Sequence, residues 1–360
     1  MIINELKYSY NDLTLVPARI SRVKSRSECN PFFDGEGRLP IFTAPMASVV
    51  SHTNYGEFIA EGITPIIPRN IDLNNRLSLA KEGIWVALSL NEFKEYFIDN
   101  ADKLPNGKQY NICVDIANGH MKYLYDLCKE GKETAVELGY RLTIMTGNVA
   151  NPETLRDLAD SGCDLIRCAI GSGNGCITSS NTAVHYPIAS LIAEVHDIRT
   201  ELESEGKKCP KIIADGGIRN YSDVIKALAL GADYVMIGSL FSKCIESCAD
   251  KFTCLEGNEY VPCKQSRAEE FYNQGLTVFA KFFGMASADG QRSISGKKTK
   301  TSEGITKYLK IEYSLPKWAD NMKSYLKSAM SYCDCLTLEE FIGKQKLVVN
   351  SVHTINSVNK

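Results

Sequence analysis

The sequence predicts a (β/α)8 barrel, also called a TIM barrel, from three observations. Eight short apolar runs recur along the 360 residues. The runs are almost continuously apolar and rich in β-branched residues, which is typical of parallel strands covered on both faces. Most gaps between the runs leave room for a helix, so β and α units alternate along the chain. This alternation favours a closed eight-stranded barrel over its structural rival, a doubly wound open sheet.

The eight predicted strands share this apolar character. In chain order they are Ile41 to Met46, Ile63 to Pro68, Ile84 to Leu90, Asn111 to Ala117, Leu142 to Val149, Asp164 to Ile170, Lys211 to Ile218 and Tyr234 to Leu240. Helical patterns lie between several of them. One pattern ends at Gly162, a long one is opened by Pro187, and a third covers Tyr221 to Asp233.

Three segments lie outside the eight units, namely residues 1–40, 249–315 and 316–360. The first is expected to cover the bottom or the edge of the barrel, and the last to close the chain. The middle segment is an insertion after the eighth strand, rich in Lys, Ser and Gly near its end. Loops of that length are usually either functional lids or disordered, and we interpret this one as an active-site flap. A single barrel domain is therefore predicted.

Composition and charge exclude several classes of protein. The formal net charge is −2 and the charged residues are interspersed, so no basic face predicts nucleic-acid binding. No stretch approaches the 18 or more apolar residues of a membrane span. The first residues lack the basic and apolar regions of a secretory signal. A cytoplasmic protein is therefore expected, with a small molecule rather than nucleic acid or membrane as its partner.

The thirteen cysteines are scattered along the chain without an export signal, which indicates reduced thiols. The densest group could hold zinc, but its spacing matches no common zinc finger and no histidine lies near it. Buried or partly exposed thiols are the simpler interpretation. The group comprises Cys244, Cys248, Cys254 and Cys263.

The active site of a barrel lies at the carboxyl ends of its strands. Here those ends carry Gly and polar residues. They are Asp115, Asn118 and Gly119 after the fourth strand, Gly147 and Asn148 at the fifth, Gly171 to Thr178 after the sixth, Asp215 to Gly217 at the seventh, and Gly238 and Ser239 after the eighth. Glycines after the last two strands can gather backbone N–H groups around a phosphate. Tight turns that need a positive φ are the plainer alternative, but two glycine-bearing turns at adjacent strand ends favour the phosphate.

The glycine-rich loop Gly171 to Cys176 is not a dinucleotide fingerprint, because a cysteine holds its last position and the loop follows the sixth strand. A lone cysteine is most often an inert buried thiol. At the end of a flexible loop on the active face, Cys176 is instead predicted to be a nucleophile. Carbonyl oxygens of this loop could also coordinate a monovalent cation.

Six strand-end motifs, in this order, resemble those of the IMP dehydrogenase and GMP reductase family. They are APMASV, DIANGH, MTGNV, GSGNGCIT, IADGGIRN and VMIGSLF. The similarity extends from YNDLTLVP and KSRSE into the C-terminal region. It implies that the cysteine attacks C2 of a purine nucleotide and forms a covalent thioimidate. In the dehydrogenases hydride then passes to NAD and water releases XMP; in the reductases ammonia leaves GMP and NADPH delivers hydride to give IMP.

The resemblance also implies roles for individual residues. Cys176 would be the nucleophile, and Thr178 with Glu303 would carry the proton for departing ammonia. Asp215 would bind the ribose hydroxyls. Further substrate contacts would come from Gly217, Gly238, Ser239, Gly284, Met285, Ser287, Lys300, Ser302 and Gly304. The nicotinamide cofactor would meet Asp115, Asn118, Gly119 and Asn148, and a potassium ion would meet the carbonyls of Gly171, Gly173 and Cys176.

Three observations favour the reductase branch. The chain lacks the domain pair that dehydrogenases usually carry between the second and third units. Its insertion has no Arg-Tyr dipeptide, which dehydrogenases use to activate water. KSRSE, DIANGH and TSEG look like reductase motifs. The expected activity is therefore NADPH-dependent conversion of GMP to IMP in purine salvage, by a homotetramer as is usual in the family.

Several residues depart from the family pattern, among them Asp289 and Gly290 in the lysine-rich insertion. Asn174 stands where a phosphate-binding serine is usual, and Lys300 stands where reductases usually place an arginine. Lysine lacks the two-pronged donor geometry of arginine. Three alternatives therefore stay open beside the reductase: an IMP dehydrogenase, an enzyme acting on a modified, deoxy or other purine-like substrate, and a nucleotide-binding protein without catalysis. The sequence does not choose between NADPH and NADH.

Overall fold

The computed structural model describes residues 4–33, 37–254, 259–298, 300–351 and 354. Its strands are β1 (Leu13–Leu15), β2 (Ile41–Thr43), β3 (Ile66–Ile67), β4 (Trp85–Leu88), β5 (Gln109–Val114), β6 (Arg141–Val149), β7 (Leu165–Cys168), β8 (Lys211–Asp215), β9 (Tyr234–Ile237), β10 (Lys251–Cys254), β11 (Tyr260–Cys263), β12 (Val278–Phe283), β13 (Thr306–Lys310) and β14 (Leu347–Val349).

Each strand from β2 to β9 is followed by at least one α-helix. The α-helices are α1 (Tyr55–Ala60), α2 (Leu73–Lys81), α3 (Leu90–Lys94), α4 (Lys122–Glu137), α5 (Thr154–Leu158), α6 (Thr178–Thr182), α7 (Ile188–Ser204), α8 (Tyr221–Ala229), α9 (Ser239–Ser242), α10 (Gln265–Asn273), α11 (Ala288–Ser295), α12 (Leu315–Tyr332) and α13 (Leu338–Phe341). In the described part of the chain, no helix combines the length and the apolar character needed to span a membrane.

Eight parallel strands form the barrel in the order β2-β9-β8-β7-β6-β5-β4-β3. The sheet closes between its two end strands, where Thr43 N–H donates to Thr64 O and Thr64 N–H donates to Ile41 O, each at 3.0 Å. Each of the eight predicted apolar runs contains or overlaps one of these strands. The predicted (β/α)8 fold is confirmed.

Alternation of side chains along each strand divides the barrel interior into layers. Its lower layers are apolar and include Phe42, Ile66 and Met236. Leu165 on β7 also faces this interior, whereas Ile166 and Cys168 face the helices. Two residues beyond Leu165, the side chain of Arg167 therefore points into the upper end of the barrel. A charged layer thus covers the apolar layers at the carboxyl ends of the strands.

The insertion after β9 forms a second, antiparallel sheet in the order β11-β10-β12-β13, with α10 and α11 beside it. It has its own small apolar cluster, which includes Ala268, Val278 and Ala280. The insertion leaves and rejoins the barrel at one point, because Cys244 and Tyr313 form a parallel bridge. The helix α12 then packs onto the barrel through the buried Trp318, which contacts Phe241 edge-on.

The two ends of the chain meet, since β1 and β14 pair antiparallel. The preceding residues Ser9 to Asn11 lie at the edge of the active face, where they line a cavity together with Gly217.

Candidate active site

A buried arginine bridges two aspartates in the charged layer of the barrel. Arg167 on β7 is 7% exposed. Its Nη1 lies 2.7 Å from Asp115 Oδ1, and its Nη2 lies 2.9 Å from Asp215 Oδ2. Asn148 Nδ2 donates to the same Asp215 oxygen at 2.6 Å. Four strand ends are thereby held in one hydrogen-bonded network.

The network keeps Arg167 charged. Burial by itself lowers the pKa of a guanidinium, but the adjacent carboxylates of Asp215 and Asp115 outweigh burial and raise the pKa of Arg167. The three groups together carry one net negative charge when both aspartates are ionised. The network at the base of the site therefore offers carboxylate oxygens as hydrogen-bond acceptors and carries no net positive charge.

Cys176 lies at the end of the glycine-rich loop that follows β7. Its thiol donates to Thr178 Oγ1 at 3.2 Å, and the Thr178 hydroxyl donates to Glu303 Oε2 at 2.8 Å. Thiol, hydroxyl and carboxylate thus form one continuous path for a proton. Thr178 begins α6, and Glu303 arrives from the insertion, so the path joins two distant parts of the chain.

Backbone contacts fix this junction between the loop and the insertion. Ile177 N–H donates to Glu303 O at 2.9 Å, and Ile305 N–H donates to Gly175 O at 3.0 Å. Cys176 and Gly304 form an antiparallel bridge between these bonds. The insertion therefore lies directly against the cysteine loop.

The contact depends on missing side chains. A Cβ on Gly284 would lie 2.8 Å from the carbonyl oxygen of Gly175, closer than real Cβ contacts allow. A Cβ on Gly304 would lie 3.0 Å from the same oxygen. Three glycine backbones are therefore in mutual contact, and this close packing sets the distance between Glu303 and Thr178.

We predict that Gly284→Ala lowers kcat/KM of the reaction catalysed at this site by roughly a hundredfold. The added methyl group pushes the insertion away from the cysteine loop, and a displacement of about 1 Å at the reacting groups is enough for such a loss. Steady-state kinetics would measure it, with circular dichroism as the check on folding. Gly56→Ala is the matched control, because a Cβ there meets nothing within 4 Å. Equal kinetics in both variants would show that the insertion does not need this close contact.

A cavity of about 220 Å³ adjoins the charged layer and the cysteine. Among the predicted site residues it is lined by Asp115, Gly173, Cys176, Asp215, Gly217, Gly238, Ser239, Gly284 and Met285. One cavity thus brings together the ends of β5, β7, β8 and β9 and part of the insertion.

Other predicted residues do not line this cavity. Asn148, Thr178, Glu303 and Gly304 lie directly behind it through the contacts described above. Ser287 is buried and caps α11, where its hydroxyl accepts from Gly290 N–H. Ser302 donates to Gly304 O at 2.8 Å. Lys300 is exposed, and its backbone N–H donates to Gln291 Oε1.

The predicted cofactor and cation positions differ in exposure. Asn118 is exposed and accepts from His120 N–H, whereas Gly119 is buried and donates to Asn148 O. In the cysteine loop, Gly171 O accepts from Ser179 Oγ at 3.3 Å and Gly173 O accepts from Cys176 N–H at 3.0 Å. Each of these carbonyls keeps a second lone pair that a cation can use. Within the described residues, no group of three or more His, Cys, Asp or Glu has a metal-binding arrangement.

Comparison with known proteins agrees with this geometry. The profile of the IMP dehydrogenase / GMP reductase domain matches residues 7–358. The chain belongs to the IMP dehydrogenase and GMP reductase family. The resemblance seen in the strand-end motifs is thereby confirmed, and the chain is an oxidoreductase of this family.

Curated relatives within the family are similar along most of their length. A GMP reductase of Shewanella pealeana is 27% identical over 366 residues, covering 96% of this chain and 95% of that protein. A GMP reductase of Staphylococcus aureus (strain MRSA252) is 29% identical and covers 90% of this chain and 91% of its own. A GMP reductase of Streptococcus gordonii is 33% identical, over 67% of this chain and 71% of that protein.

Sequence reasoning missed three polar residues at this family's strand ends. Arg167 was overlooked, although an arginine inside an apolar strand is costly unless it is paired and so signals a buried partner. Arg69 and Asn70 follow β3. Arg69 Nη1 donates to Asp115 O at 3.3 Å, while Arg69 Nε and Asn70 Oδ1 are buried without a hydrogen-bond partner in the described structure. These two orphaned atoms mark a place where a polar ligand can be bound.

Cys176 is more accessible to a ligand than the buried cysteines inside the fold. Burial raises the pKa of Cys113 and of Cys128 to about 12, so both stay protonated thiols near neutral pH. Cys113 lies beneath Arg167 inside the barrel. Cys176 is half-buried, lines the cavity and already donates its proton to a hydroxyl. It is the cysteine best placed for covalent chemistry on a ligand in this cavity.

Proposed function

We propose that the chain catalyses the NADPH-dependent reductive deamination of GMP to IMP and ammonia. The path from Cys176 through Thr178 to Glu303 is the observation that carries this proposal. A thiol that lines the cavity and is hydrogen-bonded through a hydroxyl to a carboxylate suits a nucleophile with a proton relay. The names of the relatives support GMP as the substrate. The family profile supports a purine nucleotide in the cavity.

In the first half of the proposed reaction, Cys176 Sγ bonds to C2 of the guanine ring and the bond from C2 to the exocyclic nitrogen breaks. The thiol proton passes through Thr178 and Glu303 to that nitrogen, which leaves as ammonia. In the second half, C2 gains a hydride, the bond from carbon to sulfur breaks and IMP is released. A proton from solvent then restores the thiol. The sum is GMP, NADPH and one proton giving IMP, ammonia and NADP.

The residues near the charged layer fit a nicotinamide cofactor. The buried, unpartnered Arg69 Nε is a donor and Asn70 Oδ1 is an acceptor, which suits a carboxamide group. Asp115 and Asn148 lie beside them on the same network. NADPH, when bound, supplies the hydride. The role of the chain is to hold the acceptor carbon between this region and Cys176.

The test is to mix the purified protein with GMP and NADPH and to follow the absorbance of the reduced nicotinamide. NADPH loss that depends on GMP, with IMP as product, supports the proposal, and the same assay with NADH and with deoxy-GMP defines specificity. Production of NADH from IMP and NAD would instead make the chain an IMP dehydrogenase. Binding of GMP without turnover in either assay would indicate a nucleotide-binding protein without catalysis.

We predict that Glu303→Gln lowers kcat by roughly 10²- to 10⁴-fold, the usual contribution of a positioned acid–base group. Because the amide retains the hydrogen bond from Thr178 but cannot take up a proton, ammonia release should slow most. Ammonia release in a single turnover without NADPH measures that step, and Glu312→Gln at the end of the insertion is the control. An unchanged rate of ammonia release would remove Glu303 from the relay.

We also propose a cytoplasmic homotetramer that uses a potassium ion at the carbonyls of Gly171, Gly173 and Cys176. Sedimentation velocity tests the tetramer, and replacing potassium by sodium in the assay tests the ion. A monomer, or equal rates in both salts, would contradict the corresponding part of the proposal.

A further inference from the structure

A second cavity, of about 350 Å³, lies beside the cavity that Cys176 lines. We call the latter the nucleotide cavity, because the proposed reaction takes place there. The two share Gly173, Asn174, Gly217 and Ile218 as lining residues. The second cavity continues outward from these residues to the exposed side chains of Arg219 and His185. Its size is within the range of small-ligand sites, and none of the reaction steps proposed above uses it.

The lining of the second cavity is rich in hydrogen-bond donors. Among the described residues that line it, none carries a carboxylate. It contains one arginine, one histidine and four hydroxyl-bearing residues, namely three serines and Tyr10. Of these, Ser179 already donates its hydroxyl to Gly171 O. A polar cavity with cationic and hydroxyl donors and no anionic side chain is suited to an anion. Gly171 and Gly173, two of the proposed potassium ligands, also line this cavity, so the anion has to be tested in the absence of potassium.

Two of these hydroxyls have no partner. Ser172 Oγ is buried and makes no hydrogen bond within the described structure, and the same holds for the hydroxyl of Tyr10, a residue only 2% exposed. A buried polar atom without a partner costs free energy, and a bound ligand or water can remove that cost. Ser172 lines the second cavity and not the nucleotide cavity.

Positive charge also lies behind the shared wall. Lys307 on β13 donates to both Asn174 O and Asn174 Oδ1, each at 3.1 Å. Both acceptors are neutral, so these bonds leave the ammonium charge uncompensated. The helix α7 begins at Ile188, which lines the cavity, and α8 begins two residues after Arg219. Their first turns add the positive ends of two helix dipoles.

Two carboxylates, Asp12 on the Ser9 N–H and Asp223, border the lining and weaken this field in part. Asp223 lies behind Tyr10 and Arg219, and its Oδ2 accepts from the Arg219 backbone N–H at 2.9 Å. Burial raises the pKa of Asp223. Its negative charge is therefore less favoured than that of an ordinary aspartate, and it does not line the cavity.

We infer that the second cavity is an anion site that binds a phosphate group of its own, as free diphosphate or as the terminal phosphate of a nucleotide. Arg219 supplies the charge at the rim, and Ser172 supplies a hydrogen bond at the base. Asn174, held by Lys307, separates this phosphate from the one that belongs to the nucleotide cavity. The inference is independent of the reaction proposed above, because it concerns binding alone.

The test is isothermal titration calorimetry of the whole chain with sodium diphosphate, in buffer free of potassium and magnesium. We expect saturable binding of one diphosphate per chain. Arg219→Gln is expected to weaken diphosphate binding about tenfold or more, because a hydrogen bond to a charged group contributes about that factor to affinity. Ser172→Ala should weaken it severalfold without lowering the melting temperature, because Ser172 Oγ makes no hydrogen bond within the described structure. Arg141→Gln is the matched control, as Arg141 is exposed at the opposite end of the barrel.

Absence of saturable binding up to about 10 mM, an affinity too weak to matter, would overturn the inference. So would equal affinity of the Arg219→Gln variant and the wild type. Titration in saturating GMP separates the two cavities. Retained diphosphate binding supports a separate site, whereas loss of binding means that diphosphate only occupies the nucleotide's own phosphate position, which overturns it.

GDP then identifies the source of the phosphate. Exclusion of diphosphate by GDP but not by GMP supports the terminal phosphate of a nucleotide as the ligand. Simultaneous binding of GDP and diphosphate supports the free anion. If GMP itself produces no heat, the proposed function is contradicted, while the diphosphate titration still decides the anion site.

Discussion

Cys176→Ala is expected to lower GMP-dependent NADPH oxidation by at least about a thousandfold, as removal of a covalent nucleophile does. Alanine cannot form the proposed bond to C2, and among the described residues that line the cavity Cys176 is the one cysteine. The side chain is half-buried at the cavity, and its loss should change the free energy of unfolding by less than about 1 kcal/mol. Stopped-flow absorbance and thermal melts measure the two effects.

Cys209→Ser is the control for this variant, because Cys209 is also half-buried but lies just before β8, at the opposite end of the barrel. Mass spectrometry of the wild type with GMP alone should detect a covalent adduct on Cys176 and none on Cys209. Turnover of Cys176→Ala near the wild-type rate would eliminate the covalent mechanism.

Arg167→Met is expected to destabilise the fold as well as abolish activity. It leaves Asp115 and Asp215 facing each other without the cation between them, and removing one partner of a buried ion pair costs about 3 kcal/mol. For a chain of this length that loss corresponds to a fall in melting temperature of roughly 4 °C. Differential scanning calorimetry near neutral pH measures it.

A second arginine provides the comparison. Arg156 also pairs with two carboxylates, those of Glu153 and Glu201, but on the exposed surface. Arg156→Met should cost less than about 1 kcal/mol, because exposed ion pairs are screened by water. Adding Asp215→Asn to Arg167→Met should restore part of the lost stability. Equal melting temperatures for Arg167→Met and Arg156→Met would show that the charged layer does not stabilise the barrel.

The barrel was predictable because its signal is local. Each strand is a short apolar run, and burial on both faces needs no knowledge of distant residues. The insertion was harder to predict for a physical reason. Along β12, Val278 and Ala280 are buried, but the opposite face carries Phe279 and Phe283, so the alternation of burial is not an alternation of polarity. The pattern of polar and apolar residues therefore does not predict the sheet of the insertion.

Some residues of the candidate site were likewise predictable from local sequence, and others were not. Cys176 could be singled out from its loop and its place after the sixth strand. The contact between Thr178 and Glu303 could not, since 125 positions separate them and only the resemblance joined them. Arg167 was missed because its ion pairs depend on the relative stagger of β5, β7 and β8. That stagger places Asp115 and Asp215 at the same level of the barrel as Arg167. No pattern within a single strand contains that information.

The bridge between Cys244 and Tyr313 has a consequence for how such enzymes can diverge. Because the insertion starts and ends at one point on the barrel, a change in its length adds only a slowly growing loop-closure cost and leaves the strand register intact. Away from its contact with the cysteine loop, the insertion can therefore change while the barrel stays constant. Glu303 lies within the insertion, whereas Cys176 belongs to the barrel. A change confined to the insertion can thus replace the proposed partner of the proposed nucleophile without rebuilding the barrel.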